Sequence, residues 1–127
     1  MYRVEIQHKK DFTFQVKSGG HEFSIDAKGH DGITPPDTLL ASLGSCIGVY
    51  IRKYSEGAKL GLENFSMTLE AEFTKEPPMR FGRIDVLIDL KGIVLDERRR
   101  FALLEFTKNC PVHNTIEGNP VVEVKLS

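Results

Sequence analysis

Hydrophobic and polar residues alternate over the first 27 positions of the chain. Tyr2, Val4 and Ile6 are separated by polar residues, and the same alternation returns in 12–17 and, after the turn signal SGG, in 23–27. A period of two is typical of half-buried β-strands. The pattern therefore predicts three short antiparallel strands, which the segment KGHDGITPP ends as a loop.

The pattern becomes helical from Thr34 to about Gly57. Thr34 can cap the helix N-terminus, and Asp37 suits the positive end of the helix dipole. A helix that is apolar nearly all round is buried, so we expect this one at the centre of the fold or in an interface. The apolar residues that cover most of its circumference are Leu39, Leu40, Leu43, Ile47, Val49, Tyr50 and Ile51.

Two glycines, Gly44 and Gly48, lie inside this helix on either side of Cys46. Each costs about 1 kcal/mol relative to alanine in a helix interior. We therefore expect another backbone to approach the helix closely near Cys46.

The second half of the chain is a hairpin pattern followed by a helix pattern. Residues 66–74 and 84–90 alternate as two strands joined by KEPP, with one face on the core. Residues 95–108 read as an amphipathic helix stopped by Asn109 and Pro111. A short helix can begin at Cys110, and 120–127 predict a closing strand. The predicted order is βββ-α-ββ-α-β, an α+β fold in a single domain over 1–127.

The composition of the chain argues against some classes of function. The 127 residues are 40% hydrophobic and 28% charged with a net charge of −1, which is ordinary for a globular protein and argues against a nucleic-acid partner. No apolar run reaches the roughly 20 residues that span a bilayer, and the N-terminus does not resemble a signal peptide. We expect a cytoplasmic protein without a membrane partner, in which a cysteine pair indicates metal or redox chemistry.

Cys46 and Cys110 are the only two cysteines of the chain. Cys46 shares a helix face with apolar residues, so it can equally be a buried core thiol. Cys110 is predicted at a helix N-terminus, where unpaired N–H groups and the helix dipole should lower the pKa of its thiol.

Other kinds of site find little support. Cys110 and His113 form a C-x-x-H half-site, but no second pair with metal-ligand spacing exists, and His8, His21 and His30 are scattered. The chain has no G-x-S-x-G nucleophile elbow and no phosphate-binding glycine loop. We expect neither a bound metal nor a cofactor.

Two segments resemble the motifs of the OsmC/Ohr proteins of osmotic and organic-peroxide stress. PPDTLLASLGSC, which ends at Cys46, is similar to that family's first-cysteine helix, P-x-E-L-L-x-A-x-L-G-A-C. CPVHNTI, which begins at Cys110, is similar to its second-cysteine motif, C-P-V-x-x-x-L. The separation of the two motifs and the element order also agree, so the resemblance covers essentially the whole chain.

The resemblance implies antiparallel sheets around central helices and an intertwined homodimer. It also implies thiol-dependent reduction of small organic hydroperoxides. Cys46 would be the peroxidatic thiolate that becomes a sulfenic acid, and Cys110 would resolve it as a disulfide. An external dithiol, in relatives often a lipoyl protein, would restore both thiols.

One part of the family pattern is missing. Relatives hold the first cysteine as a thiolate with an arginine from the N-terminal sheet, oriented by a helix carboxylate. Here no arginine occurs between Arg3 and Arg52, so the substitutes are Lys17, Lys28, Arg80 or Arg83. The carboxylate candidate is Asp37, which helical spacing places on the opposite face from Cys46.

These departures leave a second interpretation open. The same fold could serve as a ligand-binding or redox-sensing module in which Cys46 and Cys110 are core or sensor thiols. His113 likewise has two interpretations, as a residue that raises the thiolate fraction of Cys110 or as a surface residue of a short helix. The Arg98–Arg100 run reads as a solvated helix face.

Overall fold

The computed structural model describes residues 1–127 as a mixed α+β chain with two antiparallel sheets and three helices. It divides into two compact units, Met1–Ala41 and Ser42–Ser127. The α+β class expected from the sequence is confirmed. No helix combines the length and apolar character that crossing a membrane requires.

The first unit contains a three-stranded sheet in the order β1-β2-β3. Its strands are β1 (Glu5–Lys10), β2 (Thr13–Ser18) and β3 (His21–Asp26), and both pairings are antiparallel. The β2–β3 connection needs Gly19 and Gly20, whose φ angles are +54° and +82°. These are left-handed values that glycine adopts without a steric penalty.

The expectation of three half-buried strands is wrong for β1. Every residue of β1 is exposed, including Ile6, and Tyr2 and Val4 precede the strand. Within β2, Thr13 and Val16 are buried, while Phe12 lies in the preceding turn and is exposed. Alternation alone shows that a strand has two different faces, but it does not show that the same chain covers one of them.

The loop after β3 is organised by the carboxylate of Asp26. Its Oδ1 accepts a hydrogen bond from the N–H of Lys28 at 2.9 Å, and its Oδ2 accepts one from the N–H of Asp31 at 3.0 Å. These backbone donors lower the pKa of Asp26, with the Asp31 N–H as the largest cause. The Asp26 N–H also donates to the Ile33 carbonyl at 3.0 Å, which closes the loop.

Helix α1 spans Pro35–Ala58 and begins as the sequence predicts. The Asp37 N–H donates to the Thr34 hydroxyl at 3.2 Å, and that hydroxyl donates to Asp37 Oδ2 at 2.8 Å. The reciprocal pair satisfies an N–H that has no partner within the helix. In this structure Asp37 therefore takes part in capping the N-terminus of α1.

The second unit contains the predicted hairpin and two further helices. Strands β4 (Ser66–Phe73) and β5 (Phe81–Asp89) pair antiparallel, and helices α2 (Glu97–Thr107) and α3 (Pro111–Glu117) follow. One face of the hairpin packs on the core, as expected. The buried core of this unit consists of Leu43, Ile47, Ile51, Leu62, Leu95, Leu103 and Cys110.

Gly44 and Gly48 of α1 face side chains of β4, and the expectation of a nearby backbone is wrong. A Cβ atom on Gly44 would lie 2.7 Å from Leu69 Cδ1, and one on Gly48 would lie 3.1 Å from Met67 Cε. The small residues let α1 approach the hairpin closely enough for its leucine and methionine side chains to fill the space beside the helix.

Residues 120–127 are not a strand within the chain, so the predicted closing strand is wrong. Val121, Val122, Val124 and Leu126 are each at least 78% exposed. A strand exists only where a neighbouring strand accepts and donates its backbone hydrogen bonds. Neither sheet of the chain includes this tail.

Candidate functional site

Cys110 is fixed at the junction between α2 and α3. It is the N-cap residue of α3, with φ −61° and ψ 117°, and Pro111 occupies the first turn as expected. Its Sγ accepts a hydrogen bond from the His113 N–H at 3.4 Å, and its carbonyl accepts one from Asn114 at 3.0 Å. The side chain is completely buried.

Cys46 approaches Cys110 from helix α1. It is half-buried and packs against the core between the buried residues Leu43 and Ile47. The two thiols form a side-chain hydrogen bond, and both cysteines are free. Helix α1 and the α2–α3 junction therefore bring together two sulfur atoms that are 64 residues apart in the sequence.

The surroundings raise the pKa of Cys110, and the prediction that the helix N-terminus would lower it is wrong. Burial is the largest cause, followed by the hydrogen bond with Cys46. The N–H groups of His113 and Val112 act in the predicted direction, but they do not outweigh the loss of solvent. The hydrogen bond with Cys46 favours the protonated form of Cys110.

A cavity of about 290 Å³ lies beside the residues that flank the two cysteines. Its apolar wall includes Leu43 and Ile47 of α1, and its polar groups are Arg83, His113 and Glu117. Neither cysteine lines the cavity. The remaining lining residues are Phe81, Gly82, Ile84, Val86 and Ile116.

The residues suggested as substitutes for the missing arginine contact groups other than the two cysteines. Lys17 pairs with Glu22 at 3.6 Å, and the Lys28 ammonium lies 5.1 Å from the centre of the Phe12 ring. Both belong to the first unit.

Of the two arginines, Arg80 donates to the Pro78 carbonyl at 3.2 Å. Arg83 lines the cavity and donates from Nε to both carboxylate oxygens of Asp85, at 2.8 and 2.9 Å. The groups that act on the Cys110 thiol include no cation.

His113 contacts Cys110 through its main chain and Glu117 through its side chain. Its Nε2 lies 2.9 Å from Glu117 Oε1, and its main-chain N–H contacts Cys110. The ring lines the cavity but has no contact with either sulfur atom among its hydrogen bonds. The sequence analysis missed Glu117, although its spacing four residues after His113 on a helix is a signal for such a pair.

No three histidine, cysteine, aspartate or glutamate side chains lie together in an arrangement that could hold a metal ion. His8 Nε2 lies 2.9 Å from the Asp11 carbonyl oxygen in the first unit. The imidazole of His8 is thus engaged away from the two cysteines.

Comparison with known proteins agrees with this architecture. The chain is similar to the structure of an OsmC-like protein from Mycoplasma pneumoniae, with a TM-score of 0.80 at 18% identity, over 94% of this chain and 89% of that one. It is also similar to an organic hydroperoxide resistance protein OsmC from Legionella pneumophila, with a TM-score of 0.65 at 21% identity, over 94% and 90%.

A third similar structure is an organic hydroperoxide resistance protein from Elizabethkingia anophelis, with a TM-score of 0.62 at 21% identity, over 94% and 91%. A comparison with curated proteins gave no match. The family model described as OsmC-like protein matches residues 28–125. The chain therefore belongs to the OsmC-like protein family.

Proposed function

We propose that the protein reduces organic hydroperoxides through a redox cycle between Cys46 and Cys110. The hydrogen bond between the two thiols carries the proposal, because it joins residues that are distant in the sequence. Family membership and the two similar structures described as organic hydroperoxide resistance proteins support a role in peroxide stress.

We assign the roles of the two thiols from the difference between their environments. Cys46 is partly exposed, so a peroxide can approach it, whereas Cys110 is fully buried. Burial raises the pKa of Cys110, and the hydrogen bond with Cys46 raises it further. Cys46 is therefore the attacking thiolate and Cys110 the protonated resolving thiol.

The cycle balances in three steps. The Cys46 thiolate attacks a peroxide oxygen, the O–O bond breaks, and an S–O bond forms while the alkoxide leaves and takes a proton as the alcohol. Cys110 then attacks the sulfenic acid sulfur, which forms a disulfide and releases water. An external dithiol, such as a lipoyl group, reduces the disulfide by thiol–disulfide exchange and becomes a disulfide itself.

The cavity beside the thiols supports an apolar substrate. Leu43, Ile47 and Ile84 present aliphatic groups that favour a hydrocarbon substituent over water. Arg83 and His113 are the cation-forming side chains of its lining, and both have carboxylate partners in Asp85 and Glu117. We expect bulky apolar hydroperoxides to react faster than hydrogen peroxide.

Thiol counting tests the cycle directly. One equivalent of cumene hydroperoxide added to the reduced protein should remove two free thiols per chain. Cys110→Ser should lose one thiol and accumulate a sulfenic acid that a dimedone-type reagent traps. Cys46→Ser, which keeps a resolving thiol but no attacking one, serves as the matched control and should lose none. Unchanged thiol counts in the unmodified protein, or thiol loss that Cys46→Ser does not prevent, would contradict the proposal.

A second candidate function is redox sensing without turnover. The observation that favours it is that none of the four cationic residues considered in place of the family arginine has its contact with Cys46: Lys17 pairs with Glu22, Lys28 lies over Phe12, Arg80 donates to Pro78 and Arg83 donates to Asp85. A sensor would form the disulfide once but would not consume excess hydroperoxide in the presence of dihydrolipoamide. Peroxide consumption that continues for many turnovers and needs both cysteines would exclude this alternative.

We also propose that the chain acts as an intertwined homodimer in the cytoplasm, where dithiol reductants are available. The exposed apolar tail, with Val122, Val124 and Leu126, supports this arrangement, as does the exposure of Val49 on α1. Such surfaces mark association sites in soluble proteins. Light scattering should give twice the chain mass, and a monomer at micromolar concentration would contradict the proposal.

A further inference from the structure

A second concave region lies away from the thiols, between the end of β5, the loop that follows it and helix α2. This apolar groove has a volume of about 470 Å³, and seven of its ten lining residues are aliphatic. Leu95 and Leu103 form a buried floor, while Leu87 and Leu104 are 73% and 53% exposed. Neither cysteine and no residue of the 290 Å³ cavity belongs to it.

The two charged residues of the groove differ in whether they form an ion pair. Its two charged lining residues are Asp89 and Arg100. Asp89 accepts a hydrogen bond from the Lys91 N–H at 2.9 Å, and its other carboxylate oxygen lies 3.6 Å from the Lys91 ammonium. None of the ion pairs of the chain involves Arg100. The groove therefore carries one exposed guanidinium that takes part in no ion pair, beside seven aliphatic residues.

The apolar residues of helix α2 also differ in burial. Leu103 is its one buried residue, whereas Phe101 and Leu104 are exposed. An amphipathic surface helix normally turns its apolar residues to one side. Leu104 instead contributes its apolar side chain to the groove.

We propose that this apolar groove binds an aliphatic carboxylate of medium chain length. Pockets for small molecules are mostly apolar with a few polar groups that fix orientation, and this volume lies within their usual range. The planar guanidinium of Arg100 matches a carboxylate through two parallel hydrogen bonds. The hydrocarbon chain then lies on Ile88, Leu90 and Leu103. The site does not depend on the proposed redox cycle.

Titration calorimetry on the reduced full-length protein tests the proposal with sodium octanoate as the probe. We expect one octanoate per chain, binding at least tenfold tighter than 1-octanol or octyltrimethylammonium of the same chain length. Butanoate should bind more weakly, by up to about fourfold for each methylene removed. This ligand series needs no variant, so it stands even if a substitution disturbs folding.

Arginine variants test whether the carboxylate of octanoate binds at Arg100. Arg100→Gln should weaken octanoate binding about tenfold and leave octanol binding unchanged. Arg98→Gln on the same helix, outside the groove lining, is the matched control and should change octanoate binding less than twofold. Thiol oxidation by hydroperoxide should be the same in both variants, which separates this site from the redox proposal.

Three results would overturn the proposal. These are no binding of octanoate at millimolar concentration, equally tight octanoate binding by Arg100→Gln and the unmodified protein, and a change of oligomeric state. Conversion of a dimer into monomers by Leu104→Gln would show instead that a second copy of the chain covers the groove.

Discussion

The Cys110 thiol is hydrogen-bonded to Cys46, and it is the more deeply buried of the two. The pKa of Cys110 is raised by burial first and by Cys46 second. A resolving thiol that keeps its proton does not compete for peroxide, and it carries the proton that leaves as water when the disulfide forms. In the proposed cycle, the difference in burial separates the attacking thiol from the resolving thiol.

Alkaline pH should destabilise the reduced protein through Cys110. Because the pKa of Cys110 is raised above its ordinary value of 9.0 in the folded chain, the folded state holds this proton more tightly than the unfolded state. The resulting stability is present below pH 9 and is lost as the pH rises through the folded-state pKa. Urea unfolding midpoints between pH 8 and pH 10.5 should fall more steeply in the unmodified protein than in Cys110→Ala. Cys46→Ala should keep part of this pH dependence, because burial is the largest cause of the raised pKa of Cys110. Equal slopes of the urea midpoint against pH in all three proteins would contradict the prediction.

Acid pH should act on the other unit through Asp26. Its pKa is lowered from 3.8 by backbone N–H donors, so its contribution to stability is present above pH 3.8 and is lost as the pH falls through the lowered pKa. Asp26→Asn should be less stable at pH 7 and less sensitive to acid than the unmodified protein. Circular dichroism during heating at pH 7 and pH 3 measures both effects. The control is Asp31→Asn, because its exposed carboxylate only faces Lys10 at 3.8 Å; we expect that variant to behave like the parent.

Gly44 should resist substitution while Gly57 tolerates it. A methyl group on Gly44 would lie 2.7 Å from Leu69 Cδ1, whereas nothing lies within 4 Å of one on Gly57. Gly57→Ala should stabilise the protein by about 0.5–1 kcal/mol through helix propensity. Gly44→Ala should be less stable than Gly57→Ala by about 1–3 kcal/mol, because overpacking offsets that gain. Urea denaturation gives both values, and equal stabilisation would show that Leu69 moves aside freely.

Ser55 should matter because its hydroxyl supports a buried turn. The Leu62 N–H donates to Ser55 Oγ at 2.7 Å, and both residues are buried. Ser55→Ala leaves this N–H without a partner and should lower the free energy of unfolding by about 1–3 kcal/mol. Ser42→Ala, at an exposed position of the same helix, should have no destabilising effect. Chemical denaturation of the two variants compares them directly, and similar stabilities would refute the role of the hydrogen bond.

Local sequence patterns predicted most of the secondary structure. The Thr34 cap, the β4–β5 alternation and the start of α3 at Cys110 all depend on residues within a few positions of one another. They failed for the tail at 120–127, because strand formation also requires a neighbouring strand. They also failed for the pKa of Cys110, because a helix N-terminus can be recognised locally but the extent of burial cannot.

The sequence by itself determined the order of the elements as far as α3, the family and the two cysteines as candidates, because propensity, capping and motif spacing depend on neighbouring residues. Tertiary structure decided that Cys46 and Cys110 touch, that Cys110 retains its proton, and that Arg83, His113 and Glu117 share a cavity. It also decided that Arg100, which takes part in none of the ion pairs of the chain, lines an aliphatic groove. These properties depend on distance and on solvent exclusion between residues far apart in the chain, and packing alone fixes both.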